Sequence, residues 1–245
     1  MNSEENKNQK KDRAEPAPGV LYLVGTPIGN LGDFSPRAQS LLKSISLIAC
    51  EDTRRSKLLL RNFGIERPLI SFHKHNTKSR IPQILEILKQ KQSVALISDA
   101  GLPAISDPGE DLVAASKENN HEVICIPGPC AAITALAISG LPTRRFTFEG
   151  FLPKKGQERK NILIKISQED KTTILYESPH QIKNLLKELS LVCGEERPIQ
   201  ISRELTKRFE EQIGPTIKAA LEHFTKNKPQ GELTVVLGGV GNSKD

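Results

Sequence analysis

The chain of 245 residues has no tryptophan, one methionine and two tyrosines, and aromatic residues make up only 4% of it. A core so short of aromatics has to be filled with Leu, Ile, Val and Ala, which suits strands buried under helices better than an aromatic-rich sandwich. No apolar run approaches the roughly 18 residues needed to span a membrane, and no secretory leader is recognisable, so no membrane partner is expected. Cys50, Cys125, Cys130 and Cys193 form no CxxC pair and no zinc spacing with histidine. No metal is expected, therefore, and scattered thiols suit a reducing cytoplasm. Two phosphate signatures are also missing. GTPIGN, Gly25 to Asn30, is not GxxxxGK[ST], and Pro27 removes a backbone donor, which excludes a Walker-type nucleotidase. It is not GxGxxG either, which argues against a dinucleotide oxidoreductase. No strand carries the aromatics of an RNA stacking platform.

What is present is a modest basic excess and a regular rhythm. Lys plus Arg number 35 against 29 acids, for a formal charge of +6. Lys7, Lys10, Lys11 and Arg13 balance Glu4, Glu5, Asp12 and Glu15 in the lead-in, so the excess lies in the body of the chain and favours a polyanionic partner. Residues 1–19 read as a disordered lead-in. From Val20 one phrase repeats five times: a short apolar run, a loop of special residues, a helical period. The runs are Val20–Val24, Leu47–Cys50, Leu69–Phe72, Val94–Ile97 and Val123–Ile126. Ser35 with Pro36 opens the first helix as N-cap and N1, and Gly64 closes the second. This alternation predicts an α/β domain with a mainly parallel sheet over residues 20–139, whose ligands bind beyond the carboxyl ends of the strands. After Gly140-Leu141-Pro142 the rhythm changes. Runs at Phe146–Gly150, TTILYES, RPIQISREL, Arg208–Ile213 and ELTVVLGG, with helices between them, predict a second α/β domain with a mixed sheet over residues 140–245, and a ligand cleft between the two.

The unusual residues fall at predicted strand ends. ISDAGLPAISDPG, Ile97 to Gly109, states Ile-Ser-Asp twice around glycine and proline. EDTRRSK, Glu51 to Lys57, can be a helix-start acid pair followed by a solvated basic face, or can turn Glu51 and Asp52 inward and Arg54 towards a phosphate. In HKHN, His73 and His75 would point to opposite faces if extended, which makes a poor metal pair. PGPCAAITAL places a helix start at Cys130 and Ala131, with no base beside Cys130 to make it a nucleophile. YESPHQ and SRELTKRFEE could supply a carboxylate pair, Glu177 and Glu204, for acid-base work, or a dipole-compensating Glu177 and a local Arg203–Glu204 ion pair.

Taken in order, LYLVGTPIGNLGD, EDTRRS, SDAGLPAISDPG, PGPCAAITAL, GLP, FEGFLP, YESPH, RELTKRFEE and GEL resemble the methyltransferase I family of the small ribosomal subunit, tetrapyrrole-methylase-like enzymes of the class III S-adenosylmethionine-dependent group. The resemblance covers about Val20 to Val240. It implies a homodimer of two α/β domains that holds S-adenosylmethionine and methylates a cytidine 2′-hydroxyl of 16S ribosomal RNA. The cofactor residues it implies are Val24, Asp99, Ala100, Gly101, Leu102, Cys130, Ala131, Tyr176, Gly231, Glu232 and Leu233. Substrate would meet Gly25, Thr26, Pro27, Gly29, Arg54 and Arg203, and chemistry would fall to Glu177, Asn30, Lys207 and Glu204, with Glu177 accepting the hydroxyl proton. Leu102, Gln230 and the Arg208-Phe209 pair depart from the usual pattern, and Leu102 removes one side-chain hydrogen bond to the cofactor. Arg144, Arg145, Lys154, Lys155, Arg159 and Lys160, with Lys74, Lys78 and Arg80, are the expected RNA-facing cations. A tetrapyrrole C-methyltransferase is the rival reading on the same fold, and a non-enzymatic RNA-binding module is a more distant one.

Overall fold

The computed structural model describes residues 15–241, so most of the predicted lead-in lies outside the described residues. The chain divides into two compact units. One holds the residues up to Thr26 together with Phe34–Gly128, the other Pro27–Asp33 together with the residues from Pro129 onward.

In the first unit every apolar run of the repeated phrase is a strand. β1 (Leu21–Val24), β2 (Leu47–Cys50), β3 (Leu69–Ser71), β4 (Val94–Ile97) and β5 (Val123–Ile126) form a sheet in the order β3-β2-β4-β1-β5. All four pairings are parallel, so every strand ends on the same edge. The helices are α1 (Pro36–Ser44), α2 (Thr53–Arg61), α3 (Thr77–Lys89) and α4 (Glu110–Glu118). Ser35 caps α1 by accepting from Ala38 N, with Pro36 at the position where a missing N–H costs nothing. Period-two alternation sorts the strands onto both faces. Tyr22, Val24, Ile48, Ala95 and Ile97 pack with Phe34, Leu41 and Leu42 on one side. Leu21, Ala49, Val94 and Leu96 pack with Ile84, Leu88 and Leu112 on the other.

The second unit is a mixed sheet of β6 (Phe146–Phe151), β7 (Thr172–Glu177), β8 (Ile199–Arg203), β9 (Glu211–Ile213) and β10 (Leu233–Leu237), in the order β6-β7-β10-β8-β9. Only β6 and β7 run parallel. The remaining pairings are antiparallel. One face carries α6 (Gln157–Gln168), α7 (Ile182–Cys193) and α8 (Ile217–Lys226), packed over Leu175, Ile199, Ile201, Leu233 and Val235. The other carries α5 (Ala131–Ile138), whose Ala132, Ala135 and Leu136 meet Ile174 and Val236 together with Ile28 and Leu205.

That second cluster moves the division of the chain. The sequence puts the break at Gly140-Leu141-Pro142, but α5 buries its small residues against β7 and β10, and Ile28 carries Pro27–Asp33 into the same core. Three local readings also change. Arg208 and Phe209 form a turn and Glu210 is irregular, so β9 begins only at Glu211. HKHN is a turn, not extended chain, so the rings of His73 and His75 lie 6.0 Å apart instead of on opposite faces. The periodic helix RIPQILEILKQK begins earlier, at Thr77, and runs through Pro82.

Candidate active site

In the first unit the loops after β1 and β4 are tied into one structure. Thr26 N donates to Gly101 O at 2.9 Å, and Gly101 N returns a bond to Thr26 O at 3.2 Å. The Thr26 hydroxyl donates to Ser98 O at 3.2 Å, and the Ser98 hydroxyl reaches Gly101 O at the same distance. Gly101 takes φ of +82°, a conformation glycine adopts at no steric cost. Gly25 is needed for a different reason: a Cβ there would stand 2.6 Å from the Cα of Gly128. A short backbone tract, Ala100–Leu102, is thereby held rigidly beyond the ends of two parallel strands, where open parallel sheets bind ligands.

Asp99 is committed within this unit. One carboxylate oxygen accepts from Asp52 N at 3.3 Å and the other meets Arg55 at 3.2 Å. Asp52 itself caps α2, accepting from Arg54 N at 2.9 Å, and the Arg54 guanidinium folds back on the same carboxylate at 2.8 Å. These bonds hold the Asp52 carboxyl well below its usual range. Of the two readings of EDTRRSK, the capping one describes Asp52. Arg54 remains highly exposed while bonded to its own neighbour. Nearby, burial first and then Glu51 and Asp99 push the half-buried Asp107 carboxyl up to about 6.

The second unit assembles a polar cluster at one end of its sheet. Lys207 Nζ lies 3.0 Å from Glu204 Oε1 and 2.8 Å from Glu232 Oε2. Glu204 Oε1 also accepts from Glu232 N at 2.9 Å. Asn30 N donates to the Thr206 hydroxyl at 3.1 Å, and the Asn30 carboxamide oxygen accepts from Gly32 N. The backbone is shaped to allow this: Glu204 and Thr206 have φ of +53° and +67°, and Gly231 has +77°. Gly29 and Gly231 are glycines because a Cβ on the first would run into Lys207, and on the second would stand 2.5 Å from Glu204 Cγ. Burial pulls the Lys207 ammonium towards neutrality, but the two carboxylates outweigh it and hold its pKa above the ordinary value. Burial likewise opposes the charge on Glu204, and the Glu232 amide and Lys207 more than offset it.

Strand alternation decides which predicted residues join this cluster. Ile174 and Tyr176 face α5, whereas Leu175 faces α6, α7 and α8. Glu177 therefore shares the face of Leu175. It is buried, accepts from Ser178 N at 2.7 Å and feels the Arg159 guanidinium of α6; burial raises its carboxyl above the ordinary value. Arg203 follows Ile199 and Ile201 onto that same helix-covered face. There it pairs with Glu211 at 2.8 Å, not with Glu204. Leu233, paired with both Glu177 and Arg203, buries its side chain among the same helices and can offer a ligand only its backbone. Asn30, Lys207 and Glu204 are thus brought together, and Glu177 and Arg203 are not.

On the α5 side, the Tyr176 hydroxyl accepts from Ala132 N at 3.2 Å, beside Cys130 and Ala131. Its ring lies 5.2 Å from Phe148 and 5.4 Å from Phe151. Cys130 occupies the cap position of α5 with no side-chain cap bond. Ser98, noted in the sequence only as part of a repeated Ile-Ser-Asp, and Thr206, assigned no role there, fix the two loops. A hydroxyl beside charged residues or just past a strand end gave no signal of that role. Arg159, expected to face RNA, is instead buried, bonded to Glu188 at 2.6 Å and to the Pro153 carbonyl at 2.9 Å. Lys154, Lys155 and Lys160 are exposed. No group of His, Cys, Asp and Glu suited to a metal occurs among the described residues.

Residues 20–220 match the tetrapyrrole (corrin/porphyrin) methylases. Among curated proteins, the chain is 50% identical over 221 residues to the ribosomal RNA small subunit methyltransferase I of Synechocystis sp., covering 90% of this chain and 79% of that one. It is 44% identical to the protein of the same name from Thermotoga maritima, covering 90% and 99% of the two chains. Solved structures share the fold at lower identity. The methyltransferase CobJ superposes with a TM-score of 0.68 at 19% identity, over 92% of this chain and 96% of that one. The uroporphyrin-III C-methyltransferase of Thermus thermophilus complexed with S-adenosylhomocysteine gives 0.61 at 17%, over 89% and 96%.

Proposed function

Because the chain belongs to the tetrapyrrole methylase family and groups there with the ribosomal RNA small subunit methyltransferases I, we propose that it methylates the 2′-oxygen of a cytidine ribose in 16S RNA of the small ribosomal subunit. It is a methyltransferase, and its cofactor is S-adenosylmethionine. The rival, C-methylation of a tetrapyrrole, shares the broad family, but the tetrapyrrole enzymes among the solved structures are under 20% identical, against 44–50% for the ribosomal RNA methyltransferases.

The residues present fit that cofactor. In the first unit, Val24, Asp99, Ala100, Gly101 and Leu102 are the proposed contacts. The rigid Ala100–Leu102 tract offers backbone groups to a ligand that carries its own charge, and these do not depend on the side-chain hydrogen bond that Leu102 removes. In the second unit the proposed contacts are Cys130, Ala131, Tyr176, Gly231, Glu232 and the backbone of Leu233. Gly25, Thr26, Pro27, Gly29 and Arg54 remain the proposed substrate contacts, with Arg54 having first to leave Asp52, whereas Arg203, paired with Glu211 on the helix-covered face, is not kept among them. When bound, the cofactor supplies a methyl group already activated as a sulfonium.

The protein has two things to add: alignment of the ribose oxygen with the methyl carbon and sulfur, and relief of the charge that develops on that oxygen. The observation that carries the second role is the Glu204–Lys207–Glu232 cluster. It fixes an ammonium in place and keeps it protonated, which makes Lys207 unsuited to accept a proton and suited to stabilise an alkoxide. Glu204 positions Lys207, and Asn30 is the proposed hydrogen-bonding partner of the ribose. The hydroxyl proton would pass to solvent ahead of methyl transfer, which is what leaves on the ribose oxygen the negative charge that Lys207 is placed to stabilise. Glu177, on the opposite face of the sheet, supports the strand end rather than the chemistry.

The proposal includes a cytoplasmic homodimer. No helix among the described residues is long and apolar enough to cross a membrane, and exposed Ile133 and Ile138 on α5 are apolar surface available to a second copy. The test of function is direct. Methyl-labelled S-adenosylmethionine is incubated with the protein and small subunits lacking their native methylation, and the RNA is digested. Label in 2′-O-methylcytidine is the expected result. Bound cofactor without label in RNA would overturn the assignment.

A further inference from the structure

The loop that places Lys207 also carries an aromatic ring the fold does not use. Leu205 anchors the loop in the α5-side core, and Thr206 N donates to Glu210 Oε2 at 2.7 Å. Lys207 N donates to Glu204 O at 3.0 Å and Glu210 N to Lys207 O at 3.1 Å. The loop is fixed, yet its tip, Arg208-Phe209, projects into solvent. Phe209 is 65% exposed, and the Arg208 guanidinium sits 5.6 Å from the centre of its ring. A single exposed apolar residue is ordinary. This one is two residues from the ammonium proposed to stabilise the reacting ribose, on a loop too constrained to fold the ring away, and it is paired with a cation.

We propose that Phe209, braced by Arg208, is a stacking platform for an unpaired nucleobase of the RNA substrate, adjacent to the nucleotide whose ribose meets Lys207. The inference rests on the RNA reading above. A base presents a π-face to the ring whatever its identity, and unstacked bases of single-stranded RNA are characteristically bound on aromatic and guanidinium planes. Arg208 adds a charge that a base accepts through cation–π attraction and that a neighbouring phosphate accepts directly. The platform therefore holds the register of the strand, so that one ribose hydroxyl and not its neighbour lies at the ammonium.

The experiment compares wild type, Phe209→Leu, which keeps the apolar bulk and removes the π-face, and Phe209→Trp, which keeps both. Affinity for a labelled single-stranded oligoribonucleotide is measured by fluorescence anisotropy, and steady-state methyl transfer to unmethylated small subunits is measured separately. Phe209→Leu should weaken oligonucleotide binding by about 10-fold or more and raise KM for the subunit, with cofactor affinity unchanged. Phe209→Trp should restore both. Equal oligonucleotide affinity in all three proteins overturns the platform, as does a change of sedimentation coefficient in Phe209→Leu, which would assign the ring to contact with a second copy. Wild-type protein that binds the oligonucleotide through Phe209 but transfers no methyl to RNA would overturn the proposed function and leave the platform standing.

Discussion

At the scale of single residues, charge is controlled by immediate neighbours more than by the net balance of the chain. Lys207 and Glu177 show the contrast. One is a cation held between two carboxylates; the other is a carboxyl raised by burial on the helix-covered face. Lys207→Met should reduce turnover by about 100-fold, since removal of a charge aimed at a developing oxyanion costs on the order of 10²–10³ in kcat, with cofactor affinity intact by calorimetry. Glu177→Gln should keep turnover within about threefold, a change of under 1 kcal/mol in barrier. The reverse ranking would restore Glu177 as the proton acceptor. Asp107 gives a stability prediction. Its carboxyl is raised to about 6 in the folded chain, so between about pH 4 and 6 the native state binds a proton that the unfolded state has released. Stability contributed by this group is therefore present at low pH and is lost as pH rises through that window. Asp107→Asn should raise Tm at pH 7.5 by about 2–4 °C, corresponding to about 1 kcal/mol once solvent screening of a half-buried group is allowed for. At pH 4 the two proteins should melt together, and an offset that does not vary with pH would contradict the assignment.

At the scale of elements, α5 is the piece whose allegiance the sequence misplaces. Its eight residues are nearly all apolar or small, so the sequence shows no polar face to say which way it turns. What fixes it is burial of Ala132, Ala135 and Leu136 on β7 and β10, together with the bond from Ala132 N to the Tyr176 hydroxyl. An early N–H of a helix has no partner within the helix, so this acceptor matters. Tyr176→Phe should cost about 1–2 kcal/mol in urea unfolding, the penalty for an unsatisfied, largely buried donor, with the m-value unchanged. A loss below about 0.3 kcal/mol would mean that solvent replaces the hydroxyl at no cost. Strand alternation, by contrast, was legible: in TILYE, period two already separates Tyr176 from Glu177. Motif likeness placed both at one site, and the pleat of the sheet separates them.

At the scale of the whole molecule, the +6 charge is a statement about partners rather than about fold. Not every cation contributes to it equally. Arg159 is consumed by Glu188 and the Pro153 carbonyl, which anchors the Lys154-Lys155 loop to α6 and α7, while the two lysines stay exposed. If they meet RNA phosphates, Lys154→Gln/Lys155→Gln should weaken RNA binding and reduce the slope of log affinity against log salt by about 1.5, roughly 0.7–0.9 per lost contact. An unchanged slope would remove this loop from the RNA surface.

The sequence alone determined the order and kind of nearly every element. Apolar runs of four to six residues separated by capped helical periods leave little choice but a parallel sheet followed by a mixed one. It also carried the family likeness, because the loops at strand ends keep their residues in order. Tertiary structure decided what those residues touch. Asp52 caps a helix, Arg203 finds Glu211, and Asn30 meets Thr206 across 176 positions of sequence. Such partners are chosen by packing and by the two-residue period of the strands, and neither the spacing nor the identity of a residue records which neighbour the fold will bring to it.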